Sequence, residues 1–172
     1  MTRWPTGRAR HGGIDEIPLP VGPGRLWLCG KHAIGPDHAG AMAETGADLV
    51  VCLCERPELI DRYPAYVEWL DSQSRPDGEA VWFPIPDLHA PSPDRVRPFL
   101  EQLAERVQSG RSLLMHCGAG IGRAGTMAAA LLMHMGISHG DALSAVASAR
   151  PMAGPEVGAQ TQLLALLASA HR

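Results

Sequence analysis

The chain has 172 residues, of which 45% are hydrophobic and 19% charged, and a formal net charge of −3. That suits one globular domain with a sizeable core, and the charge balance gives no reason to expect nucleic acid or a membrane surface as a partner. No apolar stretch reaches the length of a bilayer span, the N-terminus lacks a signal-peptide core, and four cysteines at 29, 52, 54 and 117 do not suit a disulfide framework, so a cytoplasmic, reducing setting is expected.

Residues 1–24, rich in Gly, Pro and Arg, predict a flexible tail, and residues 25–172 a single domain. Arg25-Leu26-Trp27-Leu28-Cys29 reads as a first strand. A helix follows from Pro36-Asp37 to Thr45, then a buried strand from Ala47 to Cys54. Strand, helix, strand predicts parallel pairing. Residues 57–72 read as a helix before the turn Arg75-Pro76-Asp77-Gly78, and Ala80-Val81-Trp82-Phe83-Pro84-Ile85-Pro86 as a strand ending in prolines. From Pro93 to Ser109, apolar residues at Val96, Phe99, Leu100, Leu103 and Val107 form a helical stripe stopped by Gly110, with Asp94 as the helix-capping candidate. Arg111 to Met115 is a short buried strand. Helices are expected after Arg123, over Asp141 to Ser148 and over Glu156 to Ala170. The fold class is therefore α/β, with a central, mostly parallel sheet of about four to five strands flanked by helices. A phosphate-binding loop joins the last strand to a C-terminal helix cluster.

That loop, His116-Cys117-Gly118-Ala119-Gly120-Ile121-Gly122-Arg123, sets one cysteine six positions before one arginine at a strand-to-helix junction. Glycines at 118, 120 and 122 allow backbone conformations in which successive N–H groups turn inward as an anion nest, and the following helix adds its positive end. Cys117 is expected to ionise below the ordinary thiol value of about 8.5 and act as a nucleophile. The planar fork of Arg123 suits two phosphoryl oxygens, a geometry that lysine lacks. Phosphate binding is assigned to Gly118, Ala119, Gly120, Ile121, Gly122 and Arg123. A second element, the loop after the proline-ended strand, carries Asp87 thirty residues before Cys117. A carboxylic acid on such a loop could protonate a departing oxygen.

These residues resemble the signature of the cysteine-dependent protein tyrosine and dual-specificity phosphatases: His-Cys, five residues, Arg, then Ser or Thr. The resemblance implies a metal-independent hydrolase working through a phosphocysteine intermediate in its P-loop, with Asp87 as general acid and the His116 ring supporting the loop through its backbone. Neither metal nor organic cofactor is expected, and the scattered histidines form no ligand pattern. The implied partner is a phosphotyrosine protein, with phosphoserine and phosphothreonine as further options. A small phosphorylated metabolite, a catalytically weak phosphoprotein-binding module and a thiol redox protein are the alternatives.

The chain departs from that pattern at Ala124, where the family has a hydroxyl that bonds the cysteine sulfur. Losing such a bond costs roughly 1.5–3 kcal/mol, so modest turnover is expected, and Thr126, about 200° further round the helix, cannot substitute. Some family members carry a cysteine like Cys54 at a strand end, where it forms a reversible disulfide with the nucleophile, which makes Cys54 a possible redox partner of Cys117. The string from Arg150-Pro151 to Gln160, Thr161 and Gln162 resembles the family's end motif, with its register left open. The loop residues 118–122 carry no charge, whereas family members that act on inositol phosphates carry lysines inside this loop, so the resemblance disfavours highly charged lipid headgroups.

Overall fold

The computed structural model describes residues 7–170. A five-stranded sheet runs β1 (Ile14–Ile17), β2 (Leu26–Gly30), β5 (Leu113–Cys117), β3 (Leu49–Cys52) and β4 (Ala80–Trp82), parallel throughout except for β1, which is antiparallel to β2. β5 is central and buried at every residue, as its unbroken apolar run requires. Its register pairs Cys117 with Gly30 on one side and His116 with Cys52 on the other. The carboxyl ends of β2, β3 and β5 thus open at one edge, where ligands bind in parallel α/β sheets.

Alternation along the strands separates two cores. Leu49, Val51, Leu113, Met115 and Cys117 face the larger one, under α5 (Pro93–Gln108), α6 (Gly122–His134), α7 (His139–Ala149) and α8 (Gly158–Ser169). Val50, Cys52 and Leu114 face the smaller one, with Ile34 of α2 (Lys31–Ile34), Ala41 of α3 (His38–Thr45) and Tyr66, Val67 and Leu70 of α4 (Pro64–Gln73). Residues 122–133 of α6 are buried on all sides, so this helix lies between the sheet and the outer helices. Among the described residues no helix is long and apolar enough to cross a membrane.

The expected tail is shorter than its composition suggested. Gly7–His11 forms a short helix, α1, and Ile14–Ile17 pairs with β2 from Ile14 opposite Cys29 to Ile17 opposite Leu26. Ile17 is buried, which explains why Ile-Asp-Glu-Ile behaves as an edge strand despite its glycine and proline neighbours. Residues 1–6 of that tail lie outside the described residues.

Other boundaries moved for local reasons. The helix expected from residue 57 divides into a 3-10 turn, Arg56–Glu58, closed by a reciprocal capping box between Glu55 and Glu58, and α4, which begins with Pro64 in its first turn. The β4 ladder stops at Trp82, but Phe83 N–H still donates to Cys52 O at 2.8 Å and Ile85 N–H to Leu53 O at 2.9 Å. Pro84 and Pro86, which have no N–H, take the alternate positions an edge allows. The cap of α5 is Ser92, whose side chain accepts from Arg95 N–H, and Asp94 sits inside the first turn. Ser92→Ala is expected to cost about 1 kcal/mol of unfolding free energy and Asp94→Ala distinctly less, a ranking that denaturant titration of the two variants checks.

Candidate active site

The nest in the loop depends on where its carbonyls go. For N–H groups to converge on an anion, the C=O groups must turn outward and find donors elsewhere. Each one does. Cys117 O faces His116 Nδ1 at 3.3 Å, Gly118 O accepts from Lys31 N–H at 2.9 Å, and Ala119 O and Gly120 O accept from Arg150 Nη2 and Nε at 3.0 and 2.8 Å. Ile121 O accepts from Gly125 and Gly154 N–H at 2.9 and 3.1 Å. Among the described residues, the N–H groups of Gly118, Ala119, Ile121, Gly122 and Arg123 have no protein acceptor, while those of Gly120 and Ala124 point at the Cys117 sulfur.

The left-handed backbone expected of all three glycines is present at Gly120 alone, with φ 74°, where a Cβ would collide with the Cys29 carbonyl. Gly118 and Gly122 are needed for space instead. A Cβ on the first would press on the Arg123 guanidinium, and on the second on the Glu156 side chain.

Arg123 is buried at the start of α6. Its Nη1 and Nη2 donate to Glu58 Oε2 and Oε1 at 2.9 and 2.8 Å, and Nη1 also to Ile85 O at 2.8 Å. This fixes the plane of the fork, and no described residue takes its Nε edge, which is left for a ligand. Asp87 reaches the same guanidinium, with Oδ1 3.4 Å from Nη2, although its side chain is 70% exposed. Cys117, Arg123 and Asp87 therefore meet at one mouth. Leu88 follows with φ 62°, and His89 Nδ1 donates to Asp87 O at 2.7 Å, which shapes the acid loop locally.

His116 is buried between Tyr66 and the loop. Burial holds the Tyr66 phenol well above its ordinary value, so its hydroxyl donates to His116 Nε2 at 2.6 Å and leaves the ring proton on Nδ1, toward Cys117 O. The ring supports the loop backbone and does not face the sulfur.

The thiol itself differs from expectation. Burial pushes Cys117 up, against the Ala124 N–H, the Arg123 guanidinium and the Gly120 N–H, which draw it down, while the neighbouring Cys54 adds a smaller upward push. The balance is upward because burial of the sulfur outweighs the two N–H groups and the guanidinium together. Burial also works against the Glu58 carboxylate, yet hydrogen bonds from Arg123 and the Glu55 backbone hold it below its ordinary value, so the pair stays charged. Ala124 is buried beneath the sulfur, and Thr126 Oγ1 is buried without a partner. No hydroxyl from Thr126 takes the vacant role.

Cys54 lies at the same sheet edge, close enough to affect Cys117, but its nearest polar partners are Cys52 and His116. The Cys52 and Cys54 sulfurs and a His116 nitrogen fall within 4.8 Å of one another, all buried, and hydrogen bonding to Cys52 together with burial keeps Cys54 a thiol.

Three contributors were given no role by sequence reasoning: Glu58 was not named, and Arg150 and Gln160 entered only within an end motif whose register was left open. Glu58 comes from a turn whose Glu55-Arg56-Pro57-Glu58 spacing carried a capping signal but no catalytic one. Arg150, buried, donates to the loop carbonyls and also to Asp15 Oδ2 at 2.7 Å and Gly13 O at 3.1 Å. Gln160 is the buried glutamine of the end motif. Its Oε1 accepts from Glu156 N–H at 2.8 Å and its Nε2 donates to His89 O at 3.4 Å, joining α8 to the acid loop, whereas Gln162 is exposed.

A sulfur beneath converging N–H groups, with a clamped arginine above and a carboxylic acid on the facing loop, defines a cysteine-based phosphatase site. The family model described as "Swiss Army Knife protein, DSP-PTPase phosphatase domain" matches residues 21–165, and the chain belongs to this dual-specificity-type phosphatase family. It is a hydrolase of the cysteine-based tyrosine and dual-specificity class. Among solved structures, the active form of Tk-PTP is 29% identical with a TM-score of 0.65, covering 87% of this chain and 93% of that one. A mutant form of Tk-PTP is 30% identical with a TM-score of 0.68, covering 90% and 95%. Kinase associated phosphatase, 21% identical with a TM-score of 0.72 over 88% and 91%, shares the fold.

Glu58→Gln removes the charge that competes for Arg123, so the thiolate gains stabilisation. The half-maximal pH for Cys117 alkylation is expected to fall by about one pH unit, read from iodoacetamide rates across pH in variant and wild type.

Proposed function

We propose that the chain hydrolyses phosphotyrosine in proteins through a phosphocysteine intermediate. The observation that carries this reading is the loop in which every carbonyl from 117 to 121 is held outward around the Cys117 sulfur. A phosphate monoester dianion entering the nest meets the free N–H groups and the Nε edge of Arg123, and one of its phosphoryl oxygens takes the Cys117 proton, leaving the thiolate. The thiolate attacks phosphorus in line, forming the S–P bond as the ester O–P bond breaks, and Asp87 gives its proton to the departing oxygen. Asp87 then takes a proton from water as that water attacks phosphorus, which releases inorganic phosphate and returns the thiolate. Gln160, bonded to the acid loop, is placed to hold that loop in register.

The tyrosine preference rests on the rim. Leu88 and Met152 are large, apolar and exposed, and both hold left-handed backbone, at φ 62° and 70°. Strained, exposed apolar residues beside a reactive centre suit contact with an aryl ring. Cys54 remains the candidate partner for a reversible disulfide with Cys117.

In excess EDTA, wild type is expected to hydrolyse para-nitrophenyl phosphate, Cys117→Ser to be inactive, and Asp87→Ala to lose about 10²–10⁴-fold in rate. A wild type that binds phosphate but turns nothing over would make the chain a phosphate-binding module. Ala124→Ser adds the absent hydroxyl next to the sulfur, and the phosphoenzyme is expected to break down roughly tenfold faster, read from the steady phase that follows a rapid burst.

A further inference from the structure

Beside the phosphate loop lies a cavity of about 460 Å³ whose chemistry the reaction does not use. One wall is the loop itself, Gly118, Ala119 and Ile121, and another is Pro151 and Met152. The rest is lined by Arg8, Arg10 and Arg150 and by the imidazoles of His11 and His32, with no carboxylate among them; burial and the neighbouring Arg62 and Lys31 hold His32 below its ordinary pKa, so it offers a neutral hydrogen bond. Asp15, behind the lining, pairs with both Arg8 and Arg150, so one negative charge faces two arginines. Arg10 is exposed and forms no ion pair among the described residues. A second cavity shares Arg10, His11 and His32 but also carries Asp37 and Glu44. An anion is therefore favoured on the side toward the loop.

Part of this lining comes from the N-terminal segment. Arg8, Arg10 and His11 precede the region matched by the family, residues 21–165, and reach the loop because β1 and the Asp15–Arg150 pair fold the N-terminal segment back over it. From this geometry we infer a second anion subsite: the substrate carries a second phosphate group, which binds at Arg10, His11 and His32 while the first occupies the loop. The organic link between the two phosphates lies along Ile121 and Met152. This rests on the phosphatase reading above and adds the substrate's second charge to it. The uncharged interior of the loop is consistent with such a substrate, because the extra cations stand beside the loop.

The test compares kcat/KM for a neutral phosphotyrosine peptide with the same peptide carrying one phosphoserine at successive flanking positions, and for a small sugar monophosphate with its bisphosphate. Para-nitrophenyl phosphate reports turnover of a substrate with one anion. The doubly phosphorylated member of at least one pair is expected to be favoured about tenfold. That ratio should collapse toward one in the double variant Arg10→Ala, His11→Ala and shrink as ionic strength rises, and whichever pair shows it identifies peptide or small molecule as the source. A ratio near one in wild type for both pairs, or one unchanged in the double variant, overturns the subsite. If para-nitrophenyl phosphate itself is not hydrolysed, the phosphatase reading fails separately. Calorimetric affinities of Cys117→Ser for the same pairs then decide the subsite, a tenfold gap supporting it and equal affinities overturning it.

Discussion

Everything at this site depends on five outward-facing carbonyls. A backbone can present its N–H groups to an anion only if its C=O groups are satisfied on the far side, and the chain draws those donors from three distant places. Lys31 at the end of β2, Arg150 after α7 and Gly154 in the following loop each supply a share. Arg150 is the most heavily committed. It serves two loop carbonyls and is itself held by Asp15 and Gly13 in the N-terminal segment. Breaking a buried, multiply bonded ion pair of this kind costs about 3–5 kcal/mol, a large part of the stability of a domain this size.

The nucleophile is reconciled with that architecture by charge pairing. Packing Arg123 under the acid loop demands a buried counterion, and Glu58 provides one with two parallel hydrogen bonds. Burial of the sulfur outweighs the pull of Arg123 and the two N–H groups, so Cys117 is a quieter thiol than the loop chemistry alone would give. A resting thiol resists adventitious oxidation, which acts on thiolates, and the substrate dianion changes the balance on arrival.

What the sequence made readable was local. Cys117, Arg123 and the glycines lie within eight residues, and Asp87 sits on a proline-marked loop. Strand and helix patterns along 25–170 were legible because their apolar periods are strong. The role of Glu58 was not, and Arg150 and Gln160 stood only inside an end motif of open register, because each acts through a partner 65, 30 or 71 positions away and looks, in its own segment, like an ordinary capping, loop or helix residue. β1 was hidden by composition, since Gly and Pro around Ile14–Ile17 signal a tail unless the pairing with β2 is known. The cap of α5 passed from Asp94 to Ser92 because both follow or precede a proline and only the backbone geometry distinguishes them. The direction of the thiol's shift was not legible because it is set by the depth at which Cys117 is buried, which the loop's own residues do not reveal.

The Asp15–Arg150 bond has a consequence for how the protein is made. Its partners stand 135 positions apart, and β2 waits for β5 across 87 positions. A chain emerging from the ribosome therefore carries Cys117 for some time before the residues that shape its surroundings have been synthesised. Until Arg150 is made, the carbonyls of Ala119 and Gly120 have no donor, so the anion nest can take shape only late in synthesis.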